Sequence, residues 1–129
     1  MTRTGSRTID VVLWVVAVAT LGAVVVLSLG PPPSGLEAFP GADKLWHAIA
    51  YAGCTGSWLL AAVWRPGRGP GAFPRAGIPI VVGAAVLGGA IELVQRVFSR
   101  SADPLDWLAD LAGIALASGG WLVARRFAH

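Results

Sequence analysis

Apolar residues fall into four runs, residues 9–29, 44–64, 76–98 and 104–124, separated by short polar or proline-rich breaks. Each run is about 20 residues long, enough for a helix to cross a hydrocarbon core of about 30 Å. The breaks are sharp. Pro31, Pro32 and Pro33 cannot continue a helix, and Ser34, Gly35, Pro40 and Gly41 keep the following segment irregular. Arg65 and Pro66 close the second run and open a Gly/Pro/Arg loop that lasts to Arg75. Asp103 followed by Pro104 is a strong start signal, a capping carboxylate before a proline at the first helical position. Asp43 is the corresponding cap candidate for the second run, and Pro79 falls near the first turn of the third, where it is tolerated. The pattern predicts an all-α, integral membrane protein, with four transmembrane helices in one antiparallel bundle forming a single domain over residues 1–129. The first run resembles a signal peptide only superficially. A signal peptide has an apolar core of about 7–15 residues and a small-residue cleavage site, whereas this run is longer and ends in three prolines, so a retained helix is expected.

Small residues recur every fourth position within the runs: Ala48, Ala52 and Gly56; Ala84 and Gly88; Ala109, Gly113 and Ala117. Such stripes let membrane helices approach closely. Composition sharpens the class. Charged residues make up 13% of the 129 residues and the mean hydropathy is +0.67; soluble domains carry about 25% charged residues. One cysteine, Cys54, rules out an internal disulfide. The net charge of +3 lacks the basic blocks and aromatic interleaving of a nucleic-acid binder, and no nucleic acid is expected as a partner. The basic residues instead report orientation. With four spans, Arg3, Arg7, Arg65, Arg68, Arg75, Arg125 and Arg126 fall on one side, and only Lys44, Arg96 and Arg100 on the other. The positive-inside rule then predicts both termini to be cytoplasmic.

Against this apolar background the stretch from Ala90 to Gly113 stands out, because it holds Glu92, Gln95, Arg96, Arg100, Asp103, Asp106 and Asp110. Glu92 and Asp110 lie inside apolar runs, where an ionisable side chain costs roughly 2.5–3.5 kcal/mol on insertion scales. Helical spacing puts Lys44, His47, Tyr51 and Thr55 on one face of the second helix. It puts Gly88, Glu92, Gln95, Arg96 and Ser99 on one face of the third, and Asp106, Asp110, Gly113 and Ala117 on one face of the fourth. Tyr51, Glu92 and Asp110 each lie roughly 10 Å inside their helix ends at 1.5 Å per residue. Lys44, Gln95, Arg100 and Asp106 form a shallower ring. If the faces converge, the result is a polar pocket open to the outside.

Simpler roles exist for each residue. Asp103 and Asp106 also suit helix capping and the helix dipole. Lys44 and Arg96 suit snorkelling to headgroups, and Trp46, Trp58, Trp64, Trp107 and Trp121 suit packing or the interfacial belt. Glu92 and Asp110 are the hardest to explain in this way, except as ion-pair glue between helices. The pattern Lys44-x-x-His47-x-x-x-Tyr51, then Glu92-x-x-Gln95, then Arg100, then Asp106-x-x-x-Asp110-x-x-Gly113 resembles the VanZ-like family of small multi-span bacterial membrane proteins. The resemblance covers the second to fourth helices. One departure is Asp110, which stands where the family pattern most often has Asn. The resemblance implies an association with resistance to glycopeptide antibiotics of the teicoplanin type and supplies no reaction.

Three classes of function follow. The first is a site in the bacterial cell membrane that recognises or modifies a phosphorylated, lipid-linked cell-envelope molecule such as a cell-wall precursor. Lys44, Arg96 and Arg100 would hold phosphate, arginine bidentately. Tyr51, Gln95 and Asp106 would be further ligand-binding residues, with Glu92, His47 and Asp110 the catalytic candidates, Glu92 or His47 transferring a proton. No nucleophile motif accompanies them, so whether the protein is an enzyme stays open. The second class is a proton-coupled transporter, which buried acids and a histidine would suit, although the other halves of the helices offer almost no polar path. The third is a structural or accessory subunit whose charges fix helix register. His47, Glu92, Asp106 and Asp110 include the donor types for a divalent ion, but no zinc-type spacing is present, and neither a metal nor another cofactor is expected.

Overall fold

The computed structural model describes residues 3–31, 34–35, 38–63, 72–98 and 102–127. Four helices account for nearly all of them: α1 Arg3–Leu29, α2 Ala42–Val63, α3 Ala72–Val97 and α4 Pro104–Phe127. No strand occurs among the described residues. The helices start earlier or run later than the apolar runs, because hydrogen bonding and caps set their ends, rather than hydropathy. α1 begins six residues before Ile9 and α3 four before Ala76, and α4 continues through Arg125 and Arg126, where the cations suit the C-terminal end of the helix dipole. The start of α4 follows the sequence signal: Asp103 Oδ1 accepts the Leu105 N–H at 2.9 Å, and the Asp103 carbonyl accepts the Asp106 N–H at 2.8 Å. The start of α2 does not. Gly41, at a φ of +85°, accepts the Leu45 N–H through its carbonyl, and Asp43 lies inside the first turn instead of capping it. Pro79 is likewise an interior residue of the longer α3. It lacks the N–H that would have reached the Arg75 carbonyl, an omission spanning helices tolerate.

Three helices are long and apolar enough to cross a membrane, over Gly5–Leu29, Arg75–Val97 and Pro104–Phe127, and only 11%, 22% and 17% of their most apolar windows is buried within the protein. The rest presents Val, Leu and Ile outward: Val11, Val15 and Val18 on α1, Val82, Val86 and Leu93 on α3, Leu108 and Leu116 on α4. An exterior this apolar belongs to a membrane protein. The four expected helices are present, and three of them have the length and hydropathy of a span. α2 has 22 residues but is not apolar enough, because it carries Trp46, His47, Tyr51, Thr55, Ser57 and Trp58.

The same polar residues make α2 the hub of the fold. It packs against α1, α3 and α4, most extensively α4, while α1 and α4 are not in contact among the described residues. α2 and α4 run side by side with their N-terminal ends together: Lys44 meets Asp106, and His47 meets Asp110 one turn on. Gly113 lies against the backbone of Ala48 and Ala52. A Cβ there would collide with the Ala48 carbonyl oxygen and stand 3.0 Å from the Ala52 nitrogen. The small-residue stripes of α2 and α4 thus face each other, which brings two backbones into contact. Polar bonds hold the other pairs. Thr20 and Ser57 hydroxyls lie 2.8 Å apart between α1 and α2, and the Trp107 indole N–H of α4 donates to the Ala85 carbonyl of α3. The apolar core beneath the polar groups comprises Val24, Cys54, Ile91 and Ile114 around the ring of Tyr51.

Candidate functional site

Side chains from α2, α3 and α4 meet near the N-terminal ends of α2 and α4 and the C-terminal end of α3. They form three levels, one helical turn apart. The outermost is a clasp around Lys44. Its ammonium lies 2.9 Å from Asp43 Oδ2, 3.0 Å from Asp103 Oδ2 and 3.3 Å from Asp106 Oδ1. Asp103, outside the helices, has its carboxyl held below the usual carboxylate range by the Leu105 N–H and then by Lys44. Three donors on one ammonium match three carboxylates, so Lys44 ties the start of α2 to the start of α4.

The middle level is a histidine between two aspartates. His47 Nδ1 lies 2.8 Å from Asp110 Oδ1, and its Nε2 lies 3.8 Å from Asp106 Oδ2. With Asp110 as the carboxylate, Nδ1–H donates to it, which fixes the ring and turns Nε2 toward the outer level. Asp110 is only 2% exposed, and the ring is its partner on Oδ1.

The innermost level is less well satisfied. Tyr51 and Glu92 are 2% and 5% exposed, and the Tyr51 hydroxyl and both Glu92 carboxylate oxygens have no hydrogen-bond partner. Glu92 lies within electrostatic reach of Asp106, His47, Asp110 and Arg96. The turn it covers on α3 is that of Gly88, four residues before it, since helical side chains lean toward the N-terminus. A Cβ on Gly88 would stand 2.9 Å from Asp110 Oδ2, 3.2 Å from Trp107 Cδ1 and 3.4 Å from the Tyr51 hydroxyl oxygen. The missing side chain therefore lets an acid, a phenol and an indole close directly over α3, leaving no room for a Cβ. These buried polar groups are the kind that native proteins normally satisfy, which marks them as functional candidates.

Lys44, His47, Tyr51, Glu92, Asp106 and Asp110 lie near one another toward this end of the helices. Gln95 is turned elsewhere, its amide donating to the Ser28 carbonyl of α1 at 2.7 Å, where it joins helices. Arg96 is exposed, one turn beyond Glu92. Arg100 lies outside the described residues. Lys44 is fully engaged by carboxylates. Among the described residues no group of three or more His, Cys, Asp or Glu is arranged to hold a metal ion. The cluster is closed to solvent at its innermost level rather than open as a pocket; a surface concavity of about 540 Å³ lies instead beside Ala38, Phe39, Pro40, Gly41 and Asp43. Two contributors escaped sequence reasoning. Trp107 reads as an interfacial aromatic yet packs over Gly88 and donates to the Ala85 carbonyl. Gly88 sits on the right face, and its one signal is its position a turn before a buried acid.

Fold and site together define an all-α membrane protein with a buried acid–histidine–tyrosine cluster toward one end of its helices. Compared with protein-family models, with curated proteins and with solved structures, the chain matches none.

Proposed function

We propose that this is a multi-pass protein of the bacterial cell membrane, VanZ-like in its site pattern, that recognises or modifies the headgroup of a phosphorylated, lipid-linked cell-envelope molecule. The observation that carries the reading is the set of orphaned polar atoms, the Glu92 carboxylate and the Tyr51 hydroxyl, around the Asp110–His47 pair. A cluster serving only as glue between helices would pair its charges, as Lys44 does. Arg96 supplies a cation for phosphate at the rim, the sequence offers Arg100 as a second, and Glu92 or His47 supplies the proton-transfer group. By resemblance, the biological setting is teicoplanin-type glycopeptide resistance.

The reading rests on four spans in an antiparallel bundle with both termini cytoplasmic and α2 spanning in spite of its polarity. Reporter fusions after Arg75 and after His129 are expected to read cytoplasmic, and one within residues 99–103 external. An external Arg75 would remove the site from the outer leaflet and end the proposal.

The test of function is binding of a polyprenyl phosphate to the purified protein in micelles. Wild type is expected to bind, and the double variant Arg96→Gln/Arg100→Gln to bind about tenfold or more weakly, as the loss of charge-assisted contacts predicts. Equal binding by both would refute the phosphate assignment. Glu92→Gln separates site from scaffold. A carboxylate with no partner strengthens no helix contact, so the melting temperature is expected to stay the same or rise. A clear fall would favour the structural reading, in which Glu92 is glue.

A further inference from the structure

The middle level holds a mismatch between donors and acceptors. A neutral imidazole has one N–H and one lone pair. The His47 ring is flanked by two carboxylates, with Asp110 Oδ1 2.8 Å from Nδ1 and Asp106 Oδ2 3.8 Å from Nε2. With Nδ1–H given to Asp110, the Nε2 lone pair faces a second acceptor, and the two repel. Only the imidazolium offers an N–H on each side. Asp106 is also the loosest partner in the clasp, 3.3 Å from the Lys44 ammonium against 2.9 Å for Asp43 and 3.0 Å for Asp103. One carboxylate of α4 is thus shared between two side chains of α2 and holds neither closely. No other group facing the ring corrects this. α3 brings Glu92, a further acid without a hydrogen-bond partner, and the exposed Arg96. α2 itself adds Lys44, already engaged, and the open Tyr51 hydroxyl. α1 ends here in residues 26–29, which carry no charge.

We propose that His47 is a proton switch on the contact between α2 and α4: the protonated ring bridges Asp106 and Asp110, and the neutral ring holds Asp110 alone. The switch operates whatever the cluster recognises. Solvent reaches it at the right atom, because the His47 and Asp106 side chains keep 22% and 13% exposure while Asp110 keeps 2%. The proton therefore arrives at Nε2, draws Asp106 in through a charge-assisted bond, and ties the first turn of α4 to α2 one turn deeper than the Lys44 clasp does. Histidine titrates near about 6.5 and ordinary carboxylates near about 4, so the clasp stays ionised while the switch turns. A proton held in the folded protein by two carboxylates stabilises the fold. Stability accordingly rises as pH falls through the histidine range and is lost as pH rises through it.

The experiment is thermal unfolding of the full chain in micelles between about pH 8 and about pH 6. The melting temperature of wild type is expected to rise by about 4 °C or more on acidification. His47→Gln keeps an amide donor for Asp110 and does not titrate, so the rise is expected to vanish, although His129 is still present. Asp106→Asn is expected to lose half of the rise or more, because an amide donates to the lone pair of a neutral ring as well as it accepts from a charged one. It alters a partly exposed side chain and decides the matter should His47→Gln fail to fold. Glu92→Gln removes the other buried acid near the ring and is expected to keep the rise. A wild type with no rise overturns the switch, and so does a rise that survives His47→Gln or is undiminished in Asp106→Asn. A rise abolished by Glu92→Gln assigns the proton to Glu92 and overturns it as well.

Discussion

Gly113→Leu is expected to destabilise the protein by about 3 kcal/mol, at the upper end of the overpacking range. The reason is that Gly113 touches backbone and not side chain. An added Cβ would meet the Ala48 carbonyl oxygen, its carbon at 2.9 Å and the Ala52 nitrogen at 3.0 Å. A flexible side chain could rotate away; a helix backbone cannot, so α2 and α4 must separate. Separation strains the Lys44 clasp and the His47–Asp110 bond together, because both bridge the same two helices. Gly119→Leu on the same helix is the control. A Cβ at Gly119 meets nothing within 4 Å, and the exchange of glycine for a better helix former should be neutral or slightly stabilising, by less than about 1 kcal/mol. Denaturant unfolding in micelles with helicity as the signal reads both. Equal stability for the two variants would show that α2 and α4 do not meet at Gly113.

His47→Ala is expected to cost about 3–5 kcal/mol, the range for breaking a buried charged pair from one side. Asp110 is 2% exposed and loses its Oδ1 partner, while Asp106 and Glu92 nearby carry the same sign and give no relief. Replacing both partners by leucine should recover most of the loss, because two apolar residues need no partner. A double-mutant cycle gives the coupling directly. A His47→Ala variant within about 0.5 kcal/mol of wild type, the range of an ordinary surface substitution, would show that the pair is not buried in the membrane-embedded protein. The two experiments address different layers: Gly113 tests whether the helix faces meet, and His47 tests what the faces hold.

The consequences for function differ accordingly. The outer clasp engages every donor of the Lys44 ammonium, ties α2 to α4 and belongs to assembly. The inner level has open acceptors at Glu92 and an open phenol at Tyr51, which assembly leaves unexplained. Chemistry is therefore sought around Glu92, one turn below Arg96.

What the sequence determines by itself is local. Apolar runs of about 20 residues bounded by prolines and glycines specify four helices, because backbone hydrogen bonding inside an apolar run allows little else. The Asp103–Pro104 start is legible for the same reason, since a cap acts within three residues. So are the faces that carry Lys44, His47, Tyr51, Glu92, Asp106 and Asp110, which follow from the 100° rotation per residue. Only the tertiary structure decides which faces meet and what each charge touches. Lys44 reads as a phosphate ligand along the chain and is claimed by Asp43, Asp103 and Asp106 in space. Gln95 shares a sequence pattern with Glu92 and bonds to α1 instead, because positions three apart differ by 60° around a helix axis. α2 reads as one more span and is the polar hub, its hydropathy lowered by the groups it presents to three neighbours. The physical reason is common to all three: a helix fixes the direction of its own side chains, while their partners depend on how closely two backbones pack, and here that is decided by Gly113 against Ala48 and Ala52.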